Sequence, residues 1–128
     1  MKVPPPELLK KAESGDPESQ YSLAAMYGAG DFVTKSDVEA ARWYRAAADR
    51  GQVEAQRNLG LMYIYGEGVS QDVAEGMRWI RVAAEGGSSD AMKALAMAYQ
   101  QGLYDLEQDN EQASYWLARA EEIELGSE

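Results

Sequence analysis

The sequence predicts an all-α protein: a right-handed α/α superhelical solenoid of three helix-turn-helix repeats with a short N-terminal capping helix. Three observations carry this reading. Residues of one type return 36 positions apart, as Leu23, Leu59 and Leu95, as Tyr27, Tyr63 and Tyr99, as Gly30, Gly66 and Gly102, and as Gly15, Gly51 and Gly87. A period of this length, held at several positions together, marks stacked structural repeats. Trp43, Trp79 and Trp116 keep the same period with one slip of a single residue. Within each unit the small and apolar positions recur at i, i+4 and i+8, which places them on one stripe of a helix.

The elements follow in order. Residues 1–15 form an N-terminal extension and cap. Pro4-Pro5-Pro6 resists helix, and Pro6 suits the position just before a first turn. Glu7 to Ser14 then reads as a short helix with Leu8, Leu9 and Ala12 on one side and Gly15 as its stop. By register it covers the first complete unit.

Repeat 1 spans residues 16–51 and opens on Asp16-Pro17-Glu18, an N-cap aspartate followed by proline and an acid. Ser19, Leu23 and Tyr27 share a stripe, and Gly28 and Gly30 are expected to end the helix. A second helix runs from Ser36 or Asp37 to Asp49, with Ala40, Trp43, Ala46 and Ala47 apolar and Gly51 closing it.

Repeat 2, residues 52–87, returns Ala55, Leu59 and Tyr63, the loop Gly66-Glu67-Gly68-Val69, then Asp72, Gly76, Trp79 and Ala83. Repeat 3, residues 88–128, returns Ala91, Leu95, Tyr99 and Gly102, then Asp109, Ala113, Trp116 and Ala120. Its loop, Leu103-Tyr104-Asp105-Leu106, gains one residue and loses the Gly-x-Gly-Val form, and its closing glycine moves to Gly126. Small residues such as Gly60, Ala47, Ala83 and Ala120 let backbones approach, and the Trp and Tyr rings are expected to fill the interior between them. Trp79→Ala is therefore expected to cost on the order of 3–5 kcal/mol.

The run from Ala55 to Gly87 reads Ala-x-x-x-Leu-Gly-x-x-Tyr-x-x-Gly-x-Gly-Val-x-x-Asp-x-x-x-Gly-x-x-Trp-x-x-x-Ala-Ala-x-x-Gly. It resembles the Sel-one-like repeat family, relatives of the tetratricopeptide repeats, and the resemblance covers residues 16–122 in three copies. The first copy departs at Ser19, Ala24, Phe32 and Ser36, where the family has Ala, Gly, Gly and Asp; the third departs at Ala96 and in its loop. The resemblance implies a scaffold or adaptor that binds a protein or peptide along a concave face built by the first helices. Carrying the tetratricopeptide concave positions over gives three rows: Glu18, Tyr21, Ala25, Gly28 and Ala29; Glu54, Arg57, Leu61, Ile64 and Tyr65; Asp90, Lys93, Met97, Gln100 and Gln101. In the middle row Leu61, Ile64 and Tyr65 leave the Leu59/Tyr63 stripe yet are apolar or aromatic. With Met97 and Arg57 they have the composition of an interface centre. The alternative is that Leu61 and Ile64 pack against the next helix.

Composition excludes several functions. The 128 residues contain no His and no Cys, which removes Ser-His-Asp and Cys-His nucleophiles, the common zinc ligand sets and any disulfide framework. Carboxylates remain, so a carboxylate-dependent hydrolase is the distant competitor, but the acids fall on apparent helix surfaces and no catalytic residue, cofactor or metal site is assigned. Gly66-Glu67-Gly68 has no preceding strand and no following Lys-Ser/Thr, so it is a turn rather than a phosphate cradle. Asp105, Glu107 and Asp109 alternate as in a calcium loop, but Asn110 stands where the sharp-turn Gly belongs and Trp116 where the bidentate Glu belongs. No run of 18 apolar residues exists, and the start has no apolar signal core. The expected location is the cytoplasm for the chain as written, or the periplasm if Pro4-Pro5-Pro6 marks an end from which a signal was removed.

The net charge is −10, and residues 105–128 carry −7 of it through Asp105, Glu107, Asp109, Glu111, Glu121, Glu122, Glu124 and Glu128 against Arg119. Such a surface repels nucleic acid and anionic lipid and attracts a basic protein surface; the bland reading is a solubility feature. Small acidic repeat proteins of this type are similar to immunity proteins that block a toxic effector, which gives a neutralising protein as the second functional reading. Arg42/Arg45 and Arg78/Arg81 read as a solvated outer face, with Glu75 and Glu85 available to the latter pair. The last helix, with Trp116, Leu117 and Ile123, offers apolar surface for an end-to-end homodimer.

Overall fold

A computed structural model describes residues 2–126; Met1, Ser127 and Glu128, the last counted in the acidic end, lie outside the described residues. The described residues form seven helices and no strand: α1 (Pro6–Glu13), α2 (Pro17–Ala29), α3 (Asp37–Asp49), α4 (Val53–Tyr65), α5 (Val73–Glu85), α6 (Ser89–Gln101) and α7 (Asn110–Gly126). Each packs chiefly on its neighbours in sequence, which is the contact pattern of a helical solenoid. The first and second helices of the three units are α2/α3, α4/α5 and α6/α7, with α1 laid against α2.

Local chemistry sets the boundaries. Asp16, Ser36, Gln52, Asp72 and Ser88 each accept the backbone N–H three residues on, at the N-caps of α2 to α6. Asp109 accepts from the N–H groups of Glu111 and Gln112 at the start of α7. Gly30, Gly66 and Gly102 end the first helices in the left-handed region, with φ of 77°, 68° and 67°. Gly28 does not end α2: the helix runs through it to Ala29, because the capping geometry belongs to Gly30. Two buried glutamines add a tie that the sequence pattern hides. Gln20 Nε2 donates to the Ala12 carbonyl at 3.0 Å, and Gln56 Nε2 to the Ala48 carbonyl at 3.2 Å, so α2 and α4 each hold the last turn of the preceding helix.

The core is a seam of small residues around a leucine column. Leu23, Leu59 and Leu95 are fully buried, as are Ala47, Ala55, Ala83 and Ala91 where successive units meet. The backbones come closest inside repeat 2: a Cβ on Gly76 would lie 2.6 Å from the Gly60 carbonyl oxygen and 2.6 Å from Ile64 Cγ1. Repeats 1 and 3 carry alanine at both of these positions, Ala24 and Ala40 and then Ala96 and Ala113.

The rings do not fill the interior as expected. Trp116 is buried, but Trp43, Trp79, Tyr27, Tyr63 and Tyr99 are only half-buried. An alanine seam leaves no room for indoles between helices, so the rings roof its edges and arginines cover them. Arg45 lies 5.6 Å from the Tyr63 ring centroid and 6.0 Å from that of Trp79, and Arg81 lies 5.7 Å from that of Tyr99. Of the outer-face arginines, Arg78 does pair with Glu75, at 2.7 Å. Arg81 instead donates to the Tyr99 hydroxyl.

Candidate protein-binding face

The first helices α2, α4 and α6 carry all three rows of expected contact residues, and the structure sorts them. Glu18, Ala25, Ala29, Asp90, Gln100 and Gln101 are exposed, and Gly28 is half-buried. Tyr21 is half-buried against Tyr44, with ring centroids 5.7 Å apart. Glu54 and Arg57 pair at 3.3 Å, one turn apart on α4. Lys93 pairs with Glu124 of α7, which raises the lysine's pKa through that hydrogen bond. The Lys93–Glu124 pair is exposed and the Glu54–Arg57 pair half-exposed, so both shape the surface more than they stabilise it.

Ile64 is not part of an exposed patch. It is 4 % exposed and packs with Met77 and Ile80, because Gly76 leaves a slot that its side chain fills. Leu61 is half-buried, Tyr65 is 59 % exposed and Met97 is 51 % exposed. The anchor patch is therefore Leu61, Tyr65 and Met97, with Ile64 beneath it.

These side chains frame an apolar groove of about 190 Å³ at the junction of repeats 2 and 3. Its other walls are Met77 and Ile80 of α5, Ala94 of α6, and Leu103 and Tyr104 of the loop before α7. The Tyr65 and Tyr104 hydroxyls meet at 3.4 Å and close one side. That contact, then burial, raises the Tyr104 phenol above the ordinary tyrosine range.

The position of Tyr104 follows from the altered loop. In repeat 2, Gly68 (φ 74°) fits tightly under the start of α3, where a Cβ would stand 2.2 Å from the Asp37 carbonyl oxygen. Repeat 3 has no glycine there. Tyr104 and Asp105 take the left-handed region themselves, with φ of 56° and 65°. Between this loop and α5 lies a second cleft of about 260 Å³, lined by Ala74, Arg78, Arg81 and Asp105. Tyr104 stands between the two clefts. Repeat 1 has Phe32 at the register of Gly68, also left-handed at φ 65° and 66 % exposed.

Tyr104, Leu103, Met77 and Ile80 were not among the residues expected from sequence. The loop's lost Gly-x-Gly-Val form was the signal that could have pointed to the first two. No helix among the described residues is long and apolar enough to cross a membrane.

Comparison with known proteins fits this geometry. The Sel1 repeat family model matches residues 17–52, 53–88 and 89–122. No curated protein matches the chain. The crystal structure of a Sel1 repeat protein from Oxalobacter formigenes is 37 % identical, with a TM-score of 0.82, over 86 % of this chain and 44 % of that one. The crystal structure of c5321, a protective antigen present in uropathogenic Escherichia coli strains displaying an SLR fold, is 36 % identical, with a TM-score of 0.84, over 90 % of this chain and 24 % of that one. The chain thus spans less than half the length of either solved relative. With three matched units in unbroken succession, the chain belongs to the Sel1 repeat family.

Proposed function

We infer that the chain is a protein-interaction module whose partner docks on the concave face formed by α2, α4 and α6. Sel1 repeat proteins generally mediate protein–protein interaction. The observation that carries the assignment here is the apolar groove between Tyr65 and Met97. It presents two large, half-exposed anchors beside a half-buried leucine and a tyrosine held in a strained conformation. Large anchors set in a pocket and ringed by polar groups are the arrangement of an interface centre. Glu18, Glu54, Arg57, Asp90, Lys93 and Gln101 supply the polar rim.

A photo-crosslinking residue at position 97 tests this reading against the same residue at position 42 on α3. Partner adducts from position 97 that Tyr65→Ala removes are the expected result. Adducts from position 42 alone would move the interface to the other side of the stack.

A second reading is favoured by the segregation of charge. Asp105, Glu107, Glu111, Glu121, Glu122 and Glu124 are all exposed, which suits a neutralising protein that covers a basic active site. On this reading, binding to the product of a neighbouring gene weakens from low to moderate salt. An affinity indifferent to salt would remove it. An end-to-end homodimer through Leu117 and Ile123 is a separate proposal that sedimentation of the purified chain decides.

A further inference from the structure

The apolar groove is one of three clefts that share a register. The cleft at the junction of repeats 1 and 2, about 260 Å³, is lined by Gly28 and Tyr44. The groove has Ile64 and Ile80 at the equivalent places, and a cleft of about 270 Å³ in repeat 3 has Gln100 and Leu117. Positions 28, 64 and 100 are one period apart, as are 44 and 80, and 117 carries the extra residue of repeat 3. One cleft therefore recurs per unit along the same side of the stack, but its chemistry changes.

The middle cleft is apolar. The first has Asp37 and Glu67 at its rim. The tight fit of Gly68 against the Asp37 backbone seats the loop that carries Glu67 beside the start of α3. Lys35 answers Asp37 at 2.9 Å, and no cation among the described residues is paired with Glu67. An apolar socket thus lies one repeat away from an acidic one, in a chain of net charge −10.

We propose that the segment bound here is an extended peptide carrying a basic side chain and, six residues away, a large apolar one. The apolar side chain fills the groove of Leu61, Met97 and Tyr104, and the basic one meets Glu67. The spacing follows from the fold. Two helix-to-helix steps of about 8–10 Å separate successive clefts, and an extended chain covers about 3.3 Å per residue. Six residues therefore span the gap, and an even number returns both side chains to one face. This inference rests on the interaction reading above and adds the chemistry of the partner.

The test uses fluorescein-labelled peptides with one Lys and one Leu on a Gly/Ser/Thr background, spaced by three, six or eleven residues. Fluorescence polarisation with the full chain at low salt reads the affinities. The six-residue spacing is expected to bind about tenfold tighter than the three-residue spacing, and replacing its Leu by Ala to weaken it about tenfold. Glu67→Gln is expected to weaken Lys-bearing peptides about threefold and a Lys-free control not at all. Equal binding at all spacings, tightest binding at the helical spacing of eleven, indifference to Glu67→Gln, or no binding by any peptide overturns the inference. The interaction reading falls separately, if folded Tyr65→Ala binds every ligand as the parent does and crosslinks from position 97 are absent.

Discussion

Arg81 of α5 donates to the hydroxyl of Tyr99 on α6 and lies 5.7 Å from that ring's centroid, clasping repeat 2 to repeat 3. Arg45 and Tyr63 make the same clasp one unit earlier. Because each clasp joins two units and leaves each unit's own packing alone, it should act on coupling between repeats. A double-mutant cycle of Arg81→Met and Tyr99→Phe, read by urea unfolding, is expected to give about 0.5–1 kcal/mol. A coupling of zero would show that the arginine merely lies across the ring.

Glycines in the helices should respond in opposite directions. Gly76→Ala forces a methyl against the Gly60 carbonyl and Ile64, and overpacking of this kind costs about 1–3 kcal/mol. Gly28→Ala meets only the Ala40 Cβ at 3.8 Å. It should stabilise by a few tenths of a kcal/mol up to about 1 kcal/mol through helix propensity. Thermal melts of the two variants moving the same way would contradict the close approach.

Phe32 should be replaceable at a gain. An exposed aromatic residue at φ 65° is strained, by roughly 1–3 kcal/mol, part of which a glycine's larger unfolded-state entropy takes back. Phe32→Gly is expected to stabilise by about 1 kcal/mol in urea unfolding. A loss of stability would mean that the ring makes contacts worth more than the strain.

The fold was legible because the leucine, tyrosine and glycine columns record one local geometry three times over. What was not legible is where each column faces. Ile64 read as either exposed or packed on the next helix, because its angle was counted from the Leu59/Tyr63 stripe; the glycine at position 76 of the partner helix draws it inward. The tryptophans read as filling, and Trp116 is buried, but the alanine seams leave Trp43 and Trp79 at the edge. Tyr104 was hidden because a loop that breaks the repeat pattern has no counterpart from which to read its direction. The glutamine ties of Gln20 and Gln56 lapse at Met92, so only two of three units show them.

Those ties give a further expectation. Gln56→Ala removes a buried hydrogen bond and opens space, and should cost about 1–3 kcal/mol. Gln56→Met should cost less than about 1 kcal/mol, because Met92 already fills the equivalent position and Gly51 N–H still donates to the Ala48 carbonyl. Chemical unfolding of the two variants compares them directly; equal losses would assign the effect to the hydrogen bond alone.

Acid should weaken the cap of α2. Asp16 has its pKa lowered, chiefly by the Ser19 hydroxyl and then by the Ser19 backbone N–H. A depressed carboxylate contributes stability that is complete above its unfolded value and fades as pH falls through the lower folded value. The stability gap between the parent and Asp16→Asn should therefore be widest near neutrality and close on acidification. A gap constant with pH would place the cap's contribution in its shape rather than its charge.

The alanine seam has a consequence for how such chains change length. Ala47 against Ala55 and Ala83 against Ala91 are the same joint used twice. A duplicate of residues 52–87 spliced after Gly87 would meet its neighbours through surfaces that already fit, with no new complementarity to invent. Growth or shrinkage by whole units is thus built into the joint, and the ligand-facing positions are left to diverge one copy at a time.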